Sequence, residues 1–68
     1  MKMNLSFYEC EHEGDLEQYI EDVTACGGTV VDSEINDEAE VGHVTVEVED
    51  RKAFDVKFKE TDAYQFIN

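Results

Sequence analysis

Between Asp15 and Cys26 the apolar residues Leu16, Tyr19, Ile20, Val23 and Cys26 recur at i, i+3, i+4, i+7 and i+10, and Gly27-Gly28 follows at once. That spacing lays one apolar stripe along a helix, and the glycine pair supplies the left-handed stop that ends it. Asp15 with Gln18 three residues on fits a capping box at its start. On either side of this helix the period changes to two. Met3, Leu5 and Phe7 alternate with Asn4, Ser6 and Tyr8, which predicts a half-buried strand over roughly residues 3–10. Thr29 to Asn36 reads as a second strand, Asn36-Asp37-Glu38 as a turn, and Val41 to Glu49 as a third strand whose Val44, Val46 and Val48 make one clean face. A helix framed by strands in so short a chain gives an α+β class, one small domain over residues 1–68.

Residues 53–60 satisfy both periods. Phe54, Val56 and Phe58 alternate with Asp55, Lys57 and Lys59 as a strand would, whereas Phe54, Phe58 and Thr61 also suit a helix capped by Asp50. Hairpin geometry favours the strand: a loop centred on Arg51 pairs Val48 with Phe54, Val46 with Val56 and Val44 with Phe58. It also sets His43 opposite Lys59 and Thr45 opposite Lys57. Asp62 to Ile67 is expected to close the chain as a short helical turn whose Tyr64, Phe66 or Ile67 caps the core. The expected architecture is β-α-β-β-β, with the helix crossing between the first strand and a parallel second one, and the last three strands forming an antiparallel meander. One helix then packs on a mixed three- to four-stranded sheet, and the other sheet face, bearing Asp32, Glu34, Glu47, Asp55 and Lys57, stays open.

Composition narrows the function. The 68 residues carry 18 Asp and Glu against 5 Lys and Arg, a net charge of −13. A chain of this length buries only about 60% of its unfolded surface, which leaves little room for a deep catalytic cleft, so no enzyme is expected. Phosphates repel such a charge, which argues against direct binding of nucleic acid or of anionic membrane surfaces. No apolar run suggests a signal peptide or a membrane span, so a cytoplasmic location is expected, with Cys10 and Cys26 as reduced thiols packed like small apolar side chains.

The acids are unevenly placed. Residues 1–50 hold 15 of them against the single base Lys2, while residues 51–68 hold 3 acids and 4 bases. On the helix Glu13, Glu17 and Glu21 stack at i, i+4 and i+8 with Asp22 beside them, and no Lys or Arg offsets them. Each like-charge pair costs about what an ion pair would have contributed, a few tenths of a kcal/mol. Acids near the helix N-terminus suit its dipole, but Glu21 and Asp22 have no such explanation. A second run comprises Asp32, Glu34, Asp37, Glu38 and Glu40, with Glu47 and Glu49 beyond. So high a charge on a small domain exceeds what solubility asks for and opposes compaction.

Other chemistries find little footing. Cys10, His12, Cys26 and His43 match no Cys-x-x-Cys pairing, and Cys26 belongs to the buried stripe, so neither metal nor cofactor is expected. Asp32-x-Glu34-x-Asn36 opens like a calcium loop but lacks the turn glycine, and His43 stands where the bidentate Glu is needed. Carboxylate pairs discriminate nothing among so many, no Ser-His-Asp or Cys-His arrangement emerges, and Gly27-Gly28 follows a helix instead of opening one, unlike a phosphate cradle.

In size, acidity and the rows at Glu13, Glu17, Glu21 and at Asp32 to Glu40, the chain resembles the small phage-encoded inhibitors of anti-CRISPR and anti-restriction type, several of which look like DNA mimics. The resemblance is one of composition, not of motif. It implies a decoy whose carboxylates replace phosphates in the groove of a basic nucleic-acid-binding protein or nuclease complex, acting in the host cytoplasm if phage-encoded. The residues expected to meet that partner are Glu13, Glu17, Glu21, Asp22, Asp32, Glu34, Asp37, Glu38 and Glu40. The alternative is a protein-interaction or regulatory module that uses its open sheet face or an edge strand, with the contact centred on Tyr8, Val30 and Val41. The small core also leaves room for a homodimer.

Overall fold

The computed structural model describes residues 1–67, and the elements run β1 (Lys2–Phe7), α1 (Glu13–Ala25), β2 (Thr29–Asn36), β3 (Val41–Glu47) and α2 (Arg51–Phe58), followed by a 3₁₀ turn (Asp62–Phe66). The class is α+β, as the alternating periods require. The strand order is β1-β3-β2, and both neighbouring pairs are antiparallel. β1 and β2 therefore point the same way but never touch, because β3 lies between them. The expected mixed sheet is corrected on this point, since every strand pair is antiparallel. Placing β3 in the centre covers its valine face most completely: Val44, Val46 and Val48 are all but inaccessible to water.

The same placement removes the expected fourth strand. Both edges of β3 are taken by β1 and β2, so residues 54–58 have no edge on which to form the hairpin. They fold instead as α2. The Asp50 carboxylate accepts a hydrogen bond from the Ala53 amide at 3.2 Å, satisfying one of the free donors of the first turn. Phe54 and Phe58, one turn apart, are buried and stacked at 5.2 Å, while Val56 between them is left 66% exposed. His43 faces Ser6 and Glu34 across the ladder, not Lys59, and Thr45 faces Asn4 and Asp32, not Lys57.

α1 starts two residues earlier than Asp15. His12 is its cap residue, and Asp15 reaches back to accept from the backbone amides of Glu11 and His12 at 3.2 and 3.3 Å, so Asp15 serves the third helical position and not the cap itself. The apolar stripe is buried as its period predicts: Leu16, Val23 and Cys26 enter the core, with Tyr19 and Ile20 packed against it. Gly27 ends the helix at φ 96, a left-handed conformation that favours glycine. Gly28 is required for another reason. A Cβ there would come within 2.7 Å of Val46 Cγ1 and 2.9 Å of Val23 Cγ1, where α1, β3 and α2 converge.

β1 stops at Phe7, short of the expected residue 10, because Glu9 takes a positive φ of 53 and turns the chain toward α1. The final turn forms as expected. Ala63 is buried, Phe66 and Ile67 pack on the core, and the Tyr8 amide donates to the Phe66 carbonyl at 2.6 Å. Tyr64 stays 44% exposed and meets Phe58 edge-on. Phe7 anchors this end of the core, stacked on Tyr19 at 4.8 Å and meeting Phe58 edge-on. Cys10 and Cys26 are free buried thiols. No helix among the described residues is long and apolar enough to cross a membrane.

Candidate acidic interface

The fold gathers acids from separate stretches of sequence at one end. The Cys10 amide donates to the Glu40 carbonyl at 2.9 Å, which ties the loop between β1 and α1 to the turn between β2 and β3. Glu9, Glu11 and Glu13 from the loop and the helix start thus share a pole with Asp37, Glu38 and Glu40 from the turn, all six exposed. The field of this pole reaches the interior: the Cys10 thiol is held above its usual range first by burial and then by Asp15 and Asp37. The Tyr19 hydroxyl is pushed up as well, by burial and by its neighbours Cys10, Asp15 and Glu9.

Two of the acids occupy backbone that disfavours them. Glu9 at φ 53 and Glu40 at φ 56 are the only non-glycine residues with positive φ among the described residues. Their Cβ atoms crowd the backbone at a cost of about 1 kcal/mol each, which Gly or Asn would largely avoid. Sequence reasoning passed over Glu9 and Glu11 altogether. No periodicity signals a left-handed residue.

From the pole, Glu13, Glu17 and Glu21 continue along the exposed side of α1, spanning about 12 Å of rise. None of them forms an ion pair. Among the described residues the ion pairs are those of the Met1 ammonium with Glu47 and of Arg51 with Asp55, and neither involves an expected interface residue. Asp22 departs from the expectation. It is half-buried, and its Oδ2 accepts from the Ala63 amide at 3.1 Å, so it fastens the 3₁₀ turn to α1 and has the structural explanation that the sequence withheld.

Asp32 and Glu34 lie elsewhere. Their register partners Thr45 and His43 alternate with the buried Val44 and Val46, which puts both acids on the sheet face away from α1. That open face is a polar ladder, with Ser6 Oγ 2.9 Å from His43 Nδ1 and the Thr45 hydroxyl donating to Asn4 Oδ1 at 3.1 Å. Asp55 and Lys57, expected there, belong to α2, and Val30 faces the core opposite Val46. Val31 is the extra residue where the β2–β3 register shifts, and it is 51% exposed. The nine expected residues therefore divide: a pole with the α1 row on one side, Asp32 and Glu34 on the other, and Asp22 in a structural contact.

No three or more His, Cys, Asp or Glu side chains among the described residues are grouped so as to hold a metal ion. A shallow groove runs between α1 and the 3₁₀ turn, lined by Tyr19, Ala63 and Phe66 together with Glu21, Asp22 and Asp62. Comparison with known proteins finds no matching family model, no matching curated protein and no matching solved structure.

Proposed function

We propose that this protein is a non-catalytic acidic decoy that occupies the basic nucleic-acid-binding surface of a DNA- or RNA-handling protein. The observation that carries the reading is the unpaired carboxylate row running from the acidic pole along α1 through Glu13, Glu17 and Glu21. Stability does not account for it, since the row stacks like charges within one helix and its pole includes acids on strained backbone. A basic groove does account for it. Lys and Arg side chains placed to neutralise phosphates would meet a closely spaced line of negative charge, and association would be steered and salt-sensitive, as with nucleic acid itself.

The partner-binding residues in this reading are Glu13, Glu17, Glu21, Asp37, Glu38 and Glu40, joined by Glu9 and Glu11. Asp32 and Glu34 guard the outer edge of β2, where charge and an irregular register discourage unwanted strand pairing. The polar, cross-bonded open face offers little apolar surface to a sheet-face partner, so the interaction-module alternative gains no support from it.

The test is capture of partners from bacterial lysate with the tagged protein, eluted on a salt gradient and identified by mass spectrometry. The reading expects nucleic-acid-binding proteins released at moderate salt and displaced by added duplex DNA. Recovery of a single partner that resists high salt and ignores DNA would overturn it.

A further inference from the structure

We infer that the groove between α1 and the 3₁₀ turn is an arginine-accepting subsite, where one guanidinium of the protein partner lodges. This rests on the decoy reading and gives it a specific point of attachment.

The groove combines two features that together select one kind of side chain. Its apolar part comes from Tyr19, Ala63 and Phe66, with the Tyr19 and Phe66 rings 5.4 Å apart. Tyr19 is stacked on Phe7, and both Tyr19 and Phe66 line the groove. The groove is also lined by three carboxylates from two elements, Glu21 and Asp22 on α1 and Asp62 at the start of the turn. Asp22 Oδ2 accepts from the Ala63 amide, which ties the turn to α1. Among the described residues none of the three carboxylates is ion-paired.

Two aromatic rings and the carboxylates of two elements lining one groove suit a planar cation. Guanidinium can lie against an aromatic face while its fork of N–H groups reaches carboxylates in its own plane, and it sheds water more readily than an ammonium. Lysine offers a compact, strongly hydrated charge that gains less from aromatic rings. A basic nucleic-acid-binding surface is rich in arginine, so the occupant follows from the charge complementarity already argued.

The test titrates the intact protein with nona-arginine and nona-lysine peptides at physiological ionic strength, by calorimetry and by amide chemical shifts. Nona-arginine should bind about threefold more tightly. Its shift changes should centre on Gln18, Glu21 and residues 62–66. The pair Glu21→Gln with Asp62→Asn, which spares Asp22 and so the turn, should erase the preference for arginine. The pair Glu13→Gln with Glu17→Gln, outside the groove, should weaken both peptides equally and keep the preference. Equal affinity of the two peptides for the unaltered protein, or shift changes spread evenly over the acidic surface, would overturn the subsite and leave the decoy reading intact. Conversely, an arginine preference in a protein that recovers no nucleic-acid-binding partner would retain the subsite and remove the decoy.

Discussion

Glu21→Lys separates stability from function in a single substitution. Glu21 is exposed on α1, one turn after Glu17 and one turn before Ala25, so it has a single like-charge neighbour at i±4. Removing that repulsion is worth about 0.2–0.5 kcal/mol, and the ion pair that replaces it, with Glu17 N-terminal to the introduced lysine, returns a similar amount. A cation near the C-terminal end of the helix adds about 0.3 kcal/mol from the dipole. The total, about 1 kcal/mol, should raise the melting temperature by roughly 4–8 °C in a domain of this size. Binding should move the other way. Displacement of a labelled oligonucleotide from the captured partner should weaken by at least about tenfold, as when one member of an interfacial charge pair is reversed. Thermal melts and the displacement assay are run on the same preparation. A fall in melting temperature would refute the claim that Glu21 opposes the fold, and a rise with undiminished displacement would remove Glu21 from the interface.

Glu40→Asn should stabilise by about 0.5–1 kcal/mol, because asparagine tolerates the left-handed backbone at φ 56. Glu40→Gln removes the charge but keeps the backbone, so it should gain less than half as much in the same melts, and an equal gain would show that charge alone carries the cost. At alkaline pH the buried thiols govern stability. Burial holds both Cys10 and Cys26 above the usual thiol value of 9.0, aided by Asp15 and Asp37 at the first and by Asp22 at the second. The unfolded chain therefore loses these protons first, so the contribution is complete below pH 9 and fades as pH rises beyond it, by at most about 1.4 kcal/mol per unit for each thiol. Denaturant unfolding under reducing conditions between pH 8.5 and 10.5, roughly the range in which free thiols titrate, should show this loss. The Cys10→Ala and Cys26→Ala double variant should remove the thiols' share of it and leave that of the raised Tyr19 hydroxyl, and an unchanged slope in that variant would refute the assignment. At acid pH Glu47 acts in the opposite sense. Its hydrogen bond from the Met1 ammonium holds it below 4.5, so its contribution is present above that value and is lost as pH falls, and Glu47→Gln should remove this part of the acid response.

The first helix and the second strand were legible because a single period governs each. The stripe from Leu16 to Cys26 has no reading as a strand, and Thr29–Asn36 is bounded by Gly28 and a polar turn. Residues 51–58 were ambiguous for a physical reason: Phe54 and Phe58 satisfy either period, and only Val56, exposed in the folded molecule, distinguishes them. What decides the matter is non-local. Once β1 pairs with β3, no edge is left for a further strand, and the local cap at Asp50 takes over. The acidic interface was legible to the same degree. The α1 row follows from spacing along one helix, but the pole depends on a hydrogen bond between loops some thirty residues apart. Asp22 illustrates the limit, since its partner Ala63 lies 41 residues away and no local pattern announces it.

The placement of the bases bears on what the acids are for. Arg51, Lys52 and Lys57 lie on α2, Lys59 just beyond it and Lys2 on β1, while the α1 row and the pole hold none. A protein that used acid only to stay soluble would gain by interleaving the two signs, since each i, i+4 pair of opposite charge on α1 would add stability at no cost in solubility. Segregation instead gives the molecule a strong charge asymmetry. β3 runs from the acidic turn toward the end where α2 begins, so Arg51, Lys52 and the Met1 ammonium stand at the end opposite the pole, where they offset Glu47, Glu49, Asp50 and Asp55. In the field of a basic groove such an object is turned with its pole and α1 row inward before contact, which raises the fraction of encounters that dock. The proposed decoy, which has to meet its partner in one orientation, would gain from such an asymmetry, and this is the physical argument that favours the α1 row as its candidate interface.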